Sequence, residues 1–227
     1  MRVAILGAGN VGGALGKGWS GAGHAIAYGV PDSTDATHRQ AAEAAGNARL
    51  GTVAEAAHDA DVIVLATPFG AVDAALAVAG DLAGKILIDC TNPLRMGASG
   101  LELSLGFDRS GAEHVASLAR GASVFKTLNQ VGFEVMADAT GYAAKPVMFV
   151  AGDDQARKPV VMQLVSDLGF RDQRRRRDGR ASETARRRGS FRTDGHPPYR
   201  SLRDGRRPAG RTLPDNEGFE PGRFDRV

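Results

Sequence analysis

Close to its amino end the chain passes through Gly7-Ala8-Gly9-Asn10-Val11-Gly12, and no other stretch constrains the fold as strongly. The apolar run Val3-Ala4-Ile5-Leu6 precedes it, and Ala14-Leu15-Gly16-Lys17-Gly18-Trp19 follows. The order is strand, glycine turn, helix. Each glycine has a separate reason. Gly7 permits the tight turn off the strand, Gly9 lets a pyrophosphate approach the backbone, and Gly12 lets the helix pack close to the strand. Free N–H groups at the helix start would then face the phosphates, and the helix dipole favours an anion there. A phosphate-binding loop of the G-x-x-x-x-G-K-[ST] type is excluded. Gly18 follows Gly16-Lys17 where Ser or Thr is needed, and Val11 stands where the first glycine belongs.

The rest of the first 170 residues alternates apolar runs with helical stretches, which predicts an α/β fold: a Rossmann-type, doubly wound parallel sheet. Strands are expected near residues 2–6, 24–28, 62–66, 85–88, 122–125 and 146–151. Helices are expected over 10–22, 37–45, 71–79, 110–120 and 131–138, with a last one running from an Asp153 cap to about Leu168. Thr52-Val53-Ala54-Glu55 matches a capping box opening a short helix. Residues 95–108, rich in Gly and Ser, read as an irregular excursion. Two polar loops follow apolar strands: Thr67-Pro68-Phe69-Gly70 and Asp89-Cys90-Thr91-Asn92-Pro93-Leu94. Both fall at carboxyl ends of strands, where open α/β sheets hold their ligands.

The second strand ends Tyr28-Gly29-Val30-Pro31, with no carboxylate until Asp32. An NAD site usually places an acid there for the ribose hydroxyls, so its absence favours NADP. Ser33, Thr34, His38 and Arg39 are candidates to meet the 2′-phosphate, although Ser33 or Thr34 could instead cap the next helix. Lys126 is the one Lys or His read near the ligand edge, and a snorkelling strand-end role is expected for it. Cys90, the sole cysteine, excludes an intrachain disulfide, fits a reducing, cytoplasmic setting, and reads as a small buried apolar residue.

After Phe170 the texture changes. Residues 171–227 carry 17 Arg, no Lys and 9 Asp+Glu, whereas residues 1–170 carry 12 Lys+Arg and 17 Asp+Glu. The net charge of +3 therefore hides an acidic domain and a basic tail. Leu202, Leu213 and Val227 are the tail's only residues among Val, Leu, Ile and Met, too few to offset ordering entropy, which predicts a disordered, low-complexity segment. Interspersed acids and scarce aromatics argue against a nucleic-acid arm. A shifted reading frame in GC-rich coding DNA would spell the same Arg, Gly, Pro and Ala texture. No signal peptide and no apolar run of about 20 residues is read, so no membrane span is expected.

Five motifs in fixed order remain. They are the glycine turn, Thr67-Pro68-Phe69, Asp89-Cys90-Thr91-Asn92-Pro93-Leu94, the stretch from Phe125-Lys126-Thr127-Leu128-Asn129-Gln130 to Asp138, and Phe149-Val150-Ala151-Gly152-Asp153-Asp154. Together they resemble the family of coenzyme F420-dependent NADP oxidoreductases, over residues 1 to about 170. That family is itself similar to the amino-terminal domain of pyrroline-5-carboxylate reductase and to the cytosolic domain of the STEAP ferric reductases. The resemblance implies hydride transfer between NADP(H) and coenzyme F420, a deazaflavin, or a flavin-like ring, with no obligatory acid or base side chain. It implies that Gly7, Ala8, Gly9, Asn10, Val11 and Gly12 cradle the pyrophosphate. Thr67, Pro68 and Phe69 would lie along the cofactor toward its nicotinamide, and Asn92, Pro93 and Asn129 would shape the pocket for the second ring. Family members often place Ser-Arg just after the second strand for the 2′-phosphate. Val30 and Pro31 stand there, so that role is vacant or is filled by Ser33 or Arg39. The family also continues past a segment like Leu164–Phe170 with an Asp-Ala-Gly turn and apolar helices that complete the pocket and a homodimer, whereas this chain has its Arg-rich tail. Two alternatives stay open: reduction of an imine or keto substrate, and an NADPH-binding sensor without turnover.

Overall fold

The computed structural model describes residues 1–98, 100–105 and 108–174. Six parallel strands form the main sheet: β1 (Arg2–Leu6), β2 (Ala25–Gly29), β3 (Arg49–Gly51), β4 (Val62–Leu65), β5 (Ile86–Asp89) and β8 (Ser123–Lys126). Their order is β3-β2-β1-β4-β5-β8. Every pairing is parallel, for instance Ile5 with Tyr28 on one side of β1 and Ile5 with Val64 on the other. The strand order reverses direction between β1 and β4, and a ligand crevice opens at such a switch point. The predicted doubly wound sheet is therefore present.

Helices cover both faces: α1 (Asn10–Gly21), α2 (Ala36–Ala44), α3 (Val53–His58), α4 (Val72–Ala77), α5 (Gly111–Leu118), α6 (Phe133–Ala137) and α7 (Lys158–Asp167). Along β1, Val3 and Ile5 enter the core that holds Trp19, Tyr28 and Phe125, while Ala4 and Leu6 enter the core that holds Ala56, Leu76 and Val115. Two-sided burial explains why these strands read as unbroken apolar runs. α1 lies tight on the sheet because Tyr28 occupies the space a side chain at Gly16 would need. An ideal Cβ there would sit 1.8 Å from the Tyr28 hydroxyl. That hydroxyl donates to the Gly12 carbonyl at 3.3 Å, and burial pushes its pKa up to about 12. Trp19 anchors α1 to α7 by donating Nε1–H to the Leu164 carbonyl at 2.8 Å.

The structure revises several sequence expectations. Residues 95–108 are not wholly irregular: β6 (Leu94–Gly97) and β7 (Gly100–Leu103) form an antiparallel hairpin, clasped by Arg95–Glu102 at 3.0 Å. The three-residue strand β3 carries no periodic signal of its own and was not foreseen. α7 starts at Lys158, not at Asp153. Asp154 leads into it, accepting from the Ala156 and Arg157 amides. α2 is capped by Asp35, which accepts from the Thr37 and His38 amides, so neither Ser33 nor Thr34 caps it. β9 (Val147–Val150) pairs in parallel with β10 (Arg171–Arg174), which carries strand pairing four residues past the expected boundary at 170. The expected disordered tail from residue 175 onward lies outside the described residues. Among the described residues no helix is long and apolar enough to cross a membrane.

Candidate functional site

The glycine turn is built on contacts that admit no side chain at two of its positions. Gly7 has φ +105°, and a Cβ there would meet the Ala66 carbonyl oxygen at 2.8 Å. A Cβ on Gly12 would lie 2.0 Å from the Gly7 carbonyl oxygen. Gly9 differs: a Cβ there would meet nothing within 4 Å. The open space belongs to whatever binds, not to the fold. Gly9 is also the N-cap of α1 and offers no side-chain cap, while the first turn carries no acid. The first N–H groups of a helix lack intrahelical acceptors, which leaves those of α1 as donors for an anion. Ala8 is buried at 2% exposure and can contribute only backbone, whereas Asn10 is exposed.

The remaining predicted residues form a run along the carboxyl edge. Gly7 abuts Ala66 and the Thr67 amide at the exit of β4. Phe69 and Pro93 both pack against Gly111, 3.3 Å and 3.6 Å from its Cβ position. Asn92 and Asn129 join across the β5 and β8 loops. Asn92 Nδ2 donates to the Asn129 carbonyl at 3.3 Å, and Asn129 Nδ2 donates to Asn92 Oδ1 at 3.1 Å. Thr67 Oγ1, Thr127 Oγ1 and Asn129 Oδ1 are buried without hydrogen-bond partners. Buried polar atoms are normally paired. All three sit on loops leaving β4 or β8 at this edge, which suits a polar ligand such as a nicotinamide dinucleotide. With the bare helix start at Gly9, they make the site fit that group.

The β8 loop is held under strain. Leu128 is fully buried and has φ 65°, a backbone region that branched side chains rarely occupy. It sits between Thr127 and Asn129. Beneath both loops lies an ion pair that the sequence reading missed. Lys126 Nζ donates to Asp89 Oδ2 at 2.9 Å and to the Thr91 carbonyl oxygen, while Thr91 gives its amide and hydroxyl to Asp89 Oδ1 at 2.9 Å and 2.7 Å. Lys126 is therefore turned inward and does not snorkel. Cys90 is enclosed beside this pair. Burial, then the Asp89 charge, push its thiol far above the ordinary range, so it stays protonated. Native protein at neutral pH should accordingly resist a thiol reagent that labels the urea-unfolded chain at once. Labelling at equal rates would overturn the buried reading.

Ser33 and Arg39 follow β2, and both are exposed. Asp32 is turned onto its own loop, accepting the Thr34 hydroxyl at 2.6 Å and its amide at 2.8 Å. These bonds hold its carboxyl below the usual range, and the His38 and Thr37 amides do the same for Asp35. Two ionised carboxylates thus neighbour Ser33 and Arg39, with Arg39 close enough to Asp32 to favour its charge.

At the amino edge of the sheet, the end remote from the glycine turn, a cavity of about 260 Å³ is lined by Arg2, Ala27, Arg49 and Asp59, among others. Arg2 is engaged by Asp61 at 2.7 Å, and Arg49 donates to the Glu55 carbonyl at 2.9 Å. It offers neither the orphaned polar atoms nor the open helix start of the carboxyl edge.

The family model for coenzyme F420-dependent NADP oxidoreductases matches residues 2–93. A candidate F420-dependent NADP-reductase from Arthrobacter sp. FB24 is similar at 32% identity and TM-score 0.69, over 76% of this chain and 82% of that one. A hypothetical protein from Sinorhizobium meliloti is similar at 26% identity and TM-score 0.68, over 76% and 83%. A reductive aminase from Aspergillus terreus, solved with NADPH and ethyl levulinate, shares the fold at 22% identity and TM-score 0.56, over 76% and 53%. The chain belongs to the family of coenzyme F420-dependent NADP oxidoreductases and is by class an NADP-dependent oxidoreductase.

Proposed function

We propose that this chain passes a hydride between NADP(H) and the flat ring of a deazaflavin, coenzyme F420, or of a flavin-like partner. One observation carries the reading: the unpaired atoms of Thr67, Thr127 and Asn129 line a single edge that continues from the bare helix start at Gly9 to Phe69 and Pro93. Among the described residues, the floor of that edge holds neither a free lysine nor a reactive thiol, because Lys126 is committed to Asp89 and Cys90 is a neutral thiol. Such a floor suits transfer between two stacked rings, where catalysis is chiefly proximity and orientation. The nicotinamide supplies the hydride chemistry when bound. The chain's own work is to hold the pyrophosphate on Gly9 and the α1 amides, to lay Thr67–Phe69 along the cofactor, and to keep Asn92, Pro93 and Asn129 around the second ring.

The 2′-phosphate reading rests on Ser33 and Arg39, since Val30 is buried and Pro31 has no polar group. Arg39→Ala is expected to weaken NADPH about tenfold, or about 1.4 kcal/mol, and to leave NADH unchanged. Calorimetric titration with both nucleotides checks this. An equal loss for both would remove Arg39 from phosphate recognition. The function itself is tested by following NADPH oxidation with a deazaflavin and with a flavin in turn. Turnover with either supports the reading. Tight NADPH binding without turnover favours the sensor alternative.

A further inference from the structure

One pair of titratable side chains on the rim of this edge has no part in the site as described. His114 lies in the first turn of α5 and Asp73 in the first turn of α4. His114 Nε2 is 2.7 Å from Asp73 Oδ1. The imidazole tilts against Phe69, with ring centroids 5.7 Å apart and planes at 48°. Gly111, three residues earlier on α5, is the residue that touches both Phe69 and Pro93. The imidazole therefore lies beside the side chains assigned to the two rings. His114 is 19% exposed and Asp73 67%, so the ring is sheltered while its carboxylate stays wet. The neighbouring charges on α5 are committed elsewhere. Glu113 accepts the Ser110 amide in a capping box, and Arg109 donates to the Glu113 carbonyl and to Ser117 Oγ. Among the described residues no hydrogen bond is made to His114 Nδ1.

We infer that the Asp73–His114 pair is the acid–base group that handles the proton accompanying hydride transfer. The inference rests on the acceptor being a deazaflavin or flavin-like ring. A hydride brings an electron pair and one proton to a ring carbon, and leaves the ring one negative charge richer. One further proton, at a ring nitrogen, closes the balance. The imidazolium of His114 gives that proton from Nδ1, keeping the N–H electron pair on its own nitrogen. Asp73 holds Nε2–H, and water reprotonates the neutral ring at Nδ1, the atom that gave the proton up. In the opposite direction neutral His114 takes the proton. An imidazole suits both directions because its ordinary titration range lies near neutrality.

The experiment compares the unaltered chain with His114→Gln, which keeps a donor toward Asp73, and with Asp73→Asn. NADPH oxidation by a deazaflavin and by a flavin is measured from about pH 5.5 to about pH 9, in H₂O and D₂O, a range that brackets imidazole titration. NADPH affinity and the thermal midpoint are measured beside it. The His114 ring is also titrated by NMR in the free protein. The expected result is a kcat limb falling with rising pH that coincides with the ring's titration. His114→Gln abolishes the limb and the solvent isotope effect, and lowers kcat about 10- to 100-fold at the acid end, with NADPH affinity unchanged. Asp73→Asn, which keeps an oxygen toward Nε2–H and discards the charge, also lowers kcat, again with NADPH affinity unchanged. It serves as the second variant if His114→Gln melts early. A pair that only fastens α4 to α5 would leave limb and isotope effect in place, and that result overturns the inference alone. No turnover by the unaltered chain with either acceptor overturns the proposed function, and this inference falls with it.

Discussion

Gly12→Ala should unfold the site, whereas Gly9→Ala should empty it. The two substitutions add the same methyl group three residues apart, yet their surroundings are opposite. At Gly12 the new Cβ would stand 2.0 Å from the Gly7 carbonyl oxygen and 3.3 Å from Ile5 Cγ2. The first neighbour is backbone at the end of β1 and cannot swing aside as a flexible side chain would. Either the turn or the helix must shift, at a cost of about 3 kcal/mol, the upper end of what forcing atoms into a packed interior typically costs. At Gly9 the backbone is extended, at φ −75° and ψ −163°, which alanine adopts freely, and the Cβ would meet nothing within 4 Å. Stability should move by less than about 1 kcal/mol, the residual being a slightly poorer N-cap. NADPH affinity should nonetheless fall about 100-fold, or about 2.7 kcal/mol, because the methyl takes the space through which a pyrophosphate reaches the α1 amides. Urea unfolding and calorimetric titration of both variants decide the matter. A Gly9→Ala chain that folds and binds NADPH normally would remove the turn from dinucleotide binding. A Gly12→Ala chain of unchanged stability would mean that the turn is looser than its contacts indicate.

That contrast also marks what was legible in the sequence. Strand, glycine turn and helix are local, and each glycine's role follows from its place in one short motif. The Thr52 capping box was legible for the same reason, since Thr52 and Glu55 bond each other's backbone across three residues. The two-sided strands announced themselves as apolar runs. The hairpin β6–β7 did not, although the clue was present. Leu94-Arg95-Met96 and Leu101-Glu102-Leu103 alternate, and their register sets Leu94 against Leu103 and Met96 against Leu101 on one ribbon face. The glycines and serines around them masked a period that spans only three residues on each side. Asp35 rather than Ser33 or Thr34 caps α2, a choice among neighbouring residues that all cap well. The greater omissions are tertiary. Lys126 meets Asp89 across 37 residues, and His114 meets Asp73 across 41. Periodicity says where a strand ends, but it does not say toward which neighbour the last side chain turns.

The Lys126–Asp89 pair carries the second large effect. Asp89 is 0% exposed and the Lys126 side chain 17%, so this is a buried pair between the ends of adjacent strands, unlike an exposed pair such as Arg2–Asp61. Removing one partner leaves an uncompensated charge in the interior, and Lys126→Met should destabilise the protein by about 3–5 kcal/mol. The loss should not be additive with neutralising the other side. Asp89→Asn retains an oxygen for the Thr91 amide and hydroxyl while discarding the charge, so the double variant Lys126→Met/Asp89→Asn should recover at least half of what Lys126→Met loses. A double-mutant cycle in urea measures the coupling directly. The same pair fastens the loops that carry Asn92 and Asn129, one bonded to the other, and the strained Leu128 between Thr127 and Asn129 needs an anchored strand end to stay where it is. In the double variant kcat should therefore fall about tenfold while NADPH affinity, set at Gly9 and the α1 amides, barely changes. A double variant with full stability and full kcat would show that the loops hold themselves. One that recovers stability but not kcat would assign the pair to positioning the second ring rather than to keeping the fold.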